Sequence, residues 1–196
     1  MIKKGLLIIC LFKLIGLIQS CCEENINCYW KDFTMENIDN SDVKPLVTSQ
    51  LNIRKKAYGI RVTMIDTILF YANLNLMQNV NATRCGDNYI VNNKLSKIQI
   101  MVINKNNSAV DSLDVSTSFM ARKSNEISNK YVTIQAIIDY LNSPDTFNED
   151  RYRLTNLFDL YLMDTTNIQD TCKFKINLQF YDNSVISHET SELVLY

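Results

Sequence analysis

His188 is the chain's single histidine, so any catalytic dyad or triad built on an imidazole has to use it. It stands between Ser187 and Glu189 in a segment with the alternation of a strand, where neighbouring side chains point to opposite faces. Adjacent strand residues do not form a nucleophile–base pair, so partners would have to come from elsewhere in the chain. We therefore predict an exposed strand residue at His188 and no catalytic residue.

Metal-binding patterns are equally sparse. The cysteines include no C-x-x-C pair, whereas zinc sites use several Cys and His ligands at short spacing. Two acidic groups could offer oxygen ligands to calcium, but neither has the alternating acids and central glycine of a calcium loop. These groups are Glu36, Asp39 and Asp42, and Asp111 and Asp114. Among 21 acids some pair will reach the separation used in glycoside hydrolysis by chance. We predict no metal, no cofactor and no enzymatic activity.

Composition excludes further classes. Lys and Arg number 20 against 21 for Asp and Glu, and the formal charge of -1 lacks the basic excess that nucleic-acid phosphates attract. Four glycines, two of them within the first twenty residues, are too few for a phosphate loop or a dinucleotide fingerprint. The 46% apolar content predicts a globular protein with a sizeable core and no nucleic-acid partner.

Residues 1–20 have the composition of a secretory signal. They carry three lysines and no acid, and an apolar run from Leu6 to Ile18 is interrupted at Lys13. A helix that spans a membrane needs about 20 mostly apolar residues, so a signal anchor is the weaker alternative. We expect residues 1–20 to be a cleaved signal peptide.

The sequence Leu17-Ile18-Gln19-Ser20-Cys21 resembles the lipobox of bacterial lipoproteins. The resemblance implies that Cys21 receives a diacylglyceryl group, that the chain is cut after Ser20, and that further fatty acyl groups such as palmitate anchor the protein in a membrane. Gln19 departs from the small residue usual at its position. The alternative is ordinary secretion with Cys21 as a plain thiol. The Glu23-Glu24 pair looks like a surface-export mark, or else is a solvated tether.

Four cysteines remain if Cys10 leaves with the signal and Cys21 is lipidated, and an even set in an oxidising compartment indicates two disulfides. Three pairings stay open, of which we expect Cys85 with Cys172 and Cys22 with Cys28. The alternative is four reduced, buried thiols.

Strand periodicity dominates the rest of the chain. We predict a signal peptide at 1–20, a lipidated tether at 21–27 and one mainly β domain at 28–196. Within this domain, residues 34–50 are predicted to form a loop. That domain is a β-sandwich, immunoglobulin-like or similar, with one short inserted helix near 133–142 that covers an edge or end. Thr133 caps the helix and Pro144 follows it. The predicted strands are 57–64, 67–74, 96–103, 113–119, 157–163 and a C-terminal hairpin of 173–181 with 185–196.

A second resemblance is carried by the run Ala57–Val62, the strand ending near Ala72, the Cys85 loop, the Lys97–Ile103 strand and the Phe174 hairpin. Together these segments look like a family of uncharacterised Bacteroidetes-type lipoproteins. The resemblance implies export, lipidation and a β-rich body, and it carries no assigned activity.

We therefore predict a non-enzymatic lipoprotein on the outer membrane or cell surface that binds an unidentified protein or glycan. Exposure of Trp30 on a flat surface would favour binding, although core burial is the more usual role of such a residue. The alternatives are an exported hydrolase, which a deep polar pocket with two carboxylates would favour, and a subunit that adds an edge strand to another protein. An unpaired, uncharged C-terminal strand would favour the latter.

Overall fold

The structure is a computed structural model that describes residues 25–42, 44–69, 88–106, 109–123, 130–143 and 156–196. Within these ranges the chain forms twelve strands and one α-helix. In chain order they are β1 Asn25–Asp39, β2 Leu46–Val47, β3 Asn52–Ile53, β4 Tyr58–Leu69, β5 Asn88–Val91, β6 Leu95–Asn106, β7 Ala109–Asp114, β8 Phe119–Lys123, α1 Ile134–Leu141, β9 Leu157–Leu162, β10 Thr171–Phe180, β11 Val185–Glu189 and β12 Leu193–Leu195.

The strands form two six-stranded sheets. Sheet A has the order β2-β1-β4-β9-β8, with β5 also paired to β1, and sheet B has the order β3-β12-β10-β6-β7, with β11 also paired to β10. One continuous apolar core lies between them, and in it the Tyr58 ring of sheet A stacks on the Phe174 ring of sheet B at 5.1 Å. The protein is thus mainly β, with two facing sheets and a helix, which agrees with the predicted sandwich.

The predicted C-terminal hairpin is confirmed in its first half. Along β10 half-buried and buried residues alternate strictly, with the even-numbered side chains in the core. Strand β11 returns beside β10, but the predicted strand 185–196 is interrupted at residues 190–192, where Thr190 bonds the backbone of Phe174 at both its N–H and its hydroxyl. The chain then continues as β12, which pairs with β10 on one side and with β3 on the other.

Two predicted segments differ from the structure. The predicted strands 57–64 and 67–74 are one strand as far as Leu69, and residues 70–74 lie outside the described ranges. The predicted strand 113–119 straddles two strands, because the Asp114 carboxylate accepts hydrogen bonds from the backbone N–H and hydroxyl of Ser116 and turns the chain there. A 3₁₀ turn, Ser116–Ser118, follows before β8 begins.

The predicted loop 34–50 is also different. Its first part belongs to β1, which continues to Asp39 and pairs residue by residue with β4. The acids and amides in this stretch suggested a loop, but a strand accommodates them: Thr34 and Glu36 are exposed, and the Asn37 amide oxygen accepts a hydrogen bond from the Tyr58 hydroxyl at 3.0 Å. Strand β1 begins at Asn25, inside the segment predicted as a tether.

Helix α1 forms where the sequence predicts it. The Thr133 hydroxyl accepts a hydrogen bond from the Ala136 N–H and caps the first turn. Ile137, Ile138 and Leu141 are buried, and the helix contacts β6 and β8. It therefore closes the side of the sandwich between one strand of each sheet, as expected for an insertion that covers an edge.

Candidate functional site

A groove of about 390 Å³ opens between α1, β6, β8 and the 3₁₀ turn. Its described apolar lining residues are Ile98, Phe119, Met120, Ile134 and Ile138. Its described polar lining residues are Ser96, Lys97, Ser116, Thr117, Thr133 and Gln135. The volume falls within the range of small-ligand sites, and apolar walls with a few polar groups are typical of them. This groove is the candidate binding site.

The groove exists because β7 pairs only with the second half of β6. In the first half the exposed strand edge is closed by side chains: the Asn142 amide accepts from the Leu95 N–H at 2.8 Å and donates to the Leu95 carbonyl at 2.8 Å. Further along, the Ser116 hydroxyl accepts from the Ile100 N–H at 2.8 Å. Between these two closures the edge of β6 faces the groove.

One charged side chain is found among the described lining residues, Lys97. Its ammonium lies 3.9 Å from Asp114, and the two side chains are 53% and 41% exposed. Desolvation acts to raise the pKa of Asp114, but hydrogen bonds from Ser116 and Gln99 outweigh it and hold this pKa below its ordinary value of 3.8. Asp114 is therefore ionised and well satisfied, and its long, exposed contact restrains Lys97 only weakly.

A second polar cluster lies on the outer face of sheet A. The Asp159 carboxylate is fully buried and accepts two hydrogen bonds from Arg61, Nε to Oδ1 at 2.8 Å and Nη2 to Oδ2 at 3.1 Å. Its Oδ2 also accepts from the Tyr161 hydroxyl at 3.1 Å and lies 3.6 Å from Arg122 Nη2. The register places Glu36, Arg61, Asp159 and Arg122 opposite one another on four adjacent strands.

Electrostatics in this cluster indicate a structural role. The hydrogen bond that Arg61 donates to Asp159 is the main reason that the pKa of Arg61 is raised. Burial, followed by the Asp159 charge, raises the pKa of Tyr161. The Arg122 guanidinium also lies over the Tyr161 ring, 5.1 Å from its centroid. The Asp159 carboxylate is thus surrounded by hydrogen-bond donors that hold it in place on the outer face of sheet A.

His188 makes a contact that its sequence position did not suggest. Its Nε2 lies 2.7 Å from Asp32 Oδ1, and its ring meets the buried Phe33 ring edge-on at 4.7 Å. The two residues are 43% and 44% exposed, and the hydrogen bond from His188 is the main cause that lowers the pKa of Asp32. Because β11 belongs to sheet B and β1 to sheet A, the pair connects the edges of the two sheets.

The predicted cysteine sites fall only partly within the described residues. Cys21, Cys22 and Cys85 lie outside them, so lipidation and both predicted disulfides stay predictions. The structure records no disulfide among the residues it describes: Cys28 and Cys172 are buried, and desolvation raises the pKa of each thiol to about 11.

Trp30 is in the core, 2% exposed, and does not form an exposed aromatic surface. No cluster of three or more metal-ligating side chains occurs among the described residues, which include Glu36, Asp39, Asp42 and Asp114 from the two acidic groups. The Asp39 carboxylate bonds the N–H and hydroxyl of Ser41, and Asp114 does the same with Ser116. Both acids close turns.

Sequence reasoning did not find the Asp159 cluster or the groove. A signal for the first was present, because Asp159 is the one acid in the otherwise apolar strand Leu157–Leu162. A buried acid needs donors, and strand pairing decides which arginines supply them. The groove had no comparable signal, since its walls come from segments far apart in the chain.

Comparison with known proteins adds no identification: no family model, no curated protein and no solved structure matches the chain. Among the described residues, no helix has the length and apolar character required to cross a membrane.

Proposed function

We propose that the protein is an exported lipoprotein, anchored by acyl chains at Cys21 to the outer membrane or cell surface, whose β-sandwich binds a protein or glycan partner without catalysing a reaction. The single structural observation that carries the binding part is the groove beside α1. Most of the surface that lines the groove is apolar, and its polar groups are hydroxyls, one amide and one ammonium. These groups suit the recognition of a ligand.

The anchoring part rests on residues 1–21 and agrees with the start of the fold. Residues 22–24 separate Cys21 from Asn25, the first residue of β1. An acylated Cys21 would therefore hold the start of β1, and with it the sandwich, close to the membrane surface.

The competing classes receive less support. The described lining of the groove contains no carboxylate, which is the group an exported hydrolase of the predicted kind requires. Strand addition at the C-terminal strand is disfavoured because β12 lies between β3 and β10, and the backbone N–H groups of Val194 and Tyr196 already bond Leu51 and Ile53.

The intact mass of the protein extracted from membranes tests the proposal. We expect a chain that lacks residues 1–20 and carries acyl groups, and we expect a Cys21→Ser variant to lose both the acyl mass and the membrane fraction. Cys22→Ser, the same substitution one residue later, is the matched control and should stay anchored. A Cys21→Ser variant that matures normally and stays with the membrane would contradict the anchor.

A further inference from the structure

We propose that the groove beside α1 binds one extended, apolar residue of a peptide, through paired backbone hydrogen bonds to the edge of β6 at Ile98 and an apolar hollow for the side chain. This inference rests on the proposed binding function and specifies its ligand. It would make the free part of β6 the place where a segment of a partner protein adds to sheet B.

The pairing pattern of β6 shows which backbone groups face the groove. The Ile100 N–H donates to the Ser116 hydroxyl and the Ile100 carbonyl accepts from the Val115 N–H, both at 2.8 Å, so both groups of Ile100 point away from β10. Along an antiparallel strand, the backbone N–H and carbonyl of successive residues point alternately toward one neighbouring strand and toward the other. The register between β6 and β10 is regular from Lys97 to Asn104. The backbone groups of Ile98, two residues before Ile100, therefore also point away from β10.

The opposite strand gives the same alternation independently. Phe174 of β10, which faces Val102, bonds Thr190 on the side away from β6. The Phe180 N–H donates to the Ser184 carbonyl on that side as well. Even-numbered residues of β10 therefore bond away from β6, and their opposite residues, Ile98 among them, bond away from β10. The Ile98 N–H and carbonyl consequently point into the groove.

These two groups are open to a ligand. Among the described residues, Asn142 closes the edge at Leu95 and Ser116 closes it at Ile100, and none bonds the Ile98 backbone. Ile98 is 2% exposed, so its backbone lies in a shielded place where an unmade hydrogen bond is costly. A peptide in extended conformation supplies an N–H and a carbonyl from one residue, which matches the one open position on this edge.

The hollow beside Ile98 determines the kind of residue. It is lined by Phe119, Ile134 and Ile138, and about 390 Å³ is enough for a large aliphatic side chain with its backbone. The Lys97 ammonium at the rim is half exposed and only weakly restrained by Asp114. It favours an acidic group next to the apolar residue of the ligand.

A titration of the ¹⁵N-labelled full chain in detergent micelles with the blocked tripeptide acetyl-Ala-Leu-Glu amide tests the inference. We expect a saturable change in the Ile98 amide resonance at millimolar peptide or below. The analogue methylated on the leucine nitrogen should bind about tenfold more weakly or worse, because it cannot donate to the Ile98 carbonyl. Equal binding of both peptides, or no change at Ile98 at millimolar peptide, would overturn the inference.

Two pairs of variants test the location. Thr117→Tyr fills the mouth of the groove and should abolish the saturable change in the Ile98 amide resonance. Thr34→Tyr, the same substitution at an exposed position on β1 outside the groove, should leave that change intact. Lys97→Gln should weaken binding of the tripeptide several-fold, and Lys94→Gln, an equal charge change just before β6, should have a smaller effect. Undiminished binding by Thr117→Tyr at an unchanged unfolding midpoint would place the ligand elsewhere and refute the site.

The outcome for the peptide is separable from the outcome for the anchor. If the intact mass shows acylation of Cys21 but the tripeptide does not bind, this inference fails and the surface location stands. If the tripeptide binds to Ile98 but Cys21 carries no lipid, the groove stands and the lipoprotein proposal fails.

Discussion

The Asp159→Asn substitution should be one of the most destabilising polar changes in the fold. Asp159 is fully buried, and its carboxylate accepts from Arg61 twice and from Tyr161 once. The amide removes the charge and presents N–H groups where donors now converge on Oδ2. Removing one partner of a buried ion pair costs about 3–5 kcal/mol. Because the Arg61 side chain is 20% exposed and regains some water, we expect about 3 kcal/mol.

Urea unfolding of the full chain measures this cost. Trp30 is the single tryptophan and lies in the core, so its fluorescence reports loss of the sandwich. The matched control is Asp170→Asn: Asp170 lies 2.7 Å from Lys55, but its side chain is 80% exposed, and an exposed pair contributes at most about 1 kcal/mol. If Asp159→Asn costs no more than this control at an unchanged m-value, the reasoning is refuted.

A double-mutant cycle apportions the effect. Asp159→Asn combined with Arg61→Gln should give a coupling of about 2 kcal/mol, because two short hydrogen bonds connect these side chains. The cycle with Arg122→Gln should give less than half of that, since Arg122 approaches no closer than 3.6 Å. Equal couplings would show that charge alone, and not hydrogen-bond geometry, accounts for the stabilisation.

Three further predictions concern other parts of the sandwich. Gly59→Ala should destabilise the fold by about 1–3 kcal/mol in the same urea assay, because a Cβ there would lie 2.7 Å from a backbone oxygen of β9; a neutral effect would contradict that contact. His188→Asn should cost at most about 1 kcal/mol near neutral pH, and the difference from wild type should vanish as the pH falls below about 3.8. The folded pKa of Asp32 is lowered, so its bond stabilises the fold above the unfolded value and is lost on protonation; a difference that grows in acid would have the wrong sign. In the reduced protein at pH 8, Cys28 and Cys172 should react with a thiol reagent far more slowly in the fold than in urea, because both are buried with pKa values of about 11; equal rates would be inconsistent with this burial.

Local patterns predicted those elements whose own side chains determine their structure. The alternation of β10 and the cap and apolar stripe of α1 were read correctly, because strand and helix periodicity are properties of a few consecutive residues. The boundary at Asp114 was missed because one hydrogen-bonded turn outweighed the apolar run on either side of it.

The candidate site depended on long-range pairing and was therefore out of reach. Nothing near Ile98 in the sequence indicates that Asn142 and Ser116 close the strand on either side of it, since they lie 44 and 18 residues away. The contact of His188 with Asp32 likewise joins residues 156 positions apart. Such contacts follow from which strands are neighbours in the sheets, and that order is set by the whole core.

The charged row across β1, β4, β9 and β8 also acts on strand alignment. Sliding β9 by one residue along β4 would turn Asp159 into the core, so burial alone forbids it. A slide of two residues keeps every apolar side chain inside, yet it would place Arg61 opposite Tyr161 or Leu157. The Asp159 carboxylate would then lack the Arg61 guanidinium as its partner. The ionic row thus discriminates against mispaired arrangements that the hydrophobic pattern tolerates, and its loss should be seen in a lower refolding yield as well as in weaker stability.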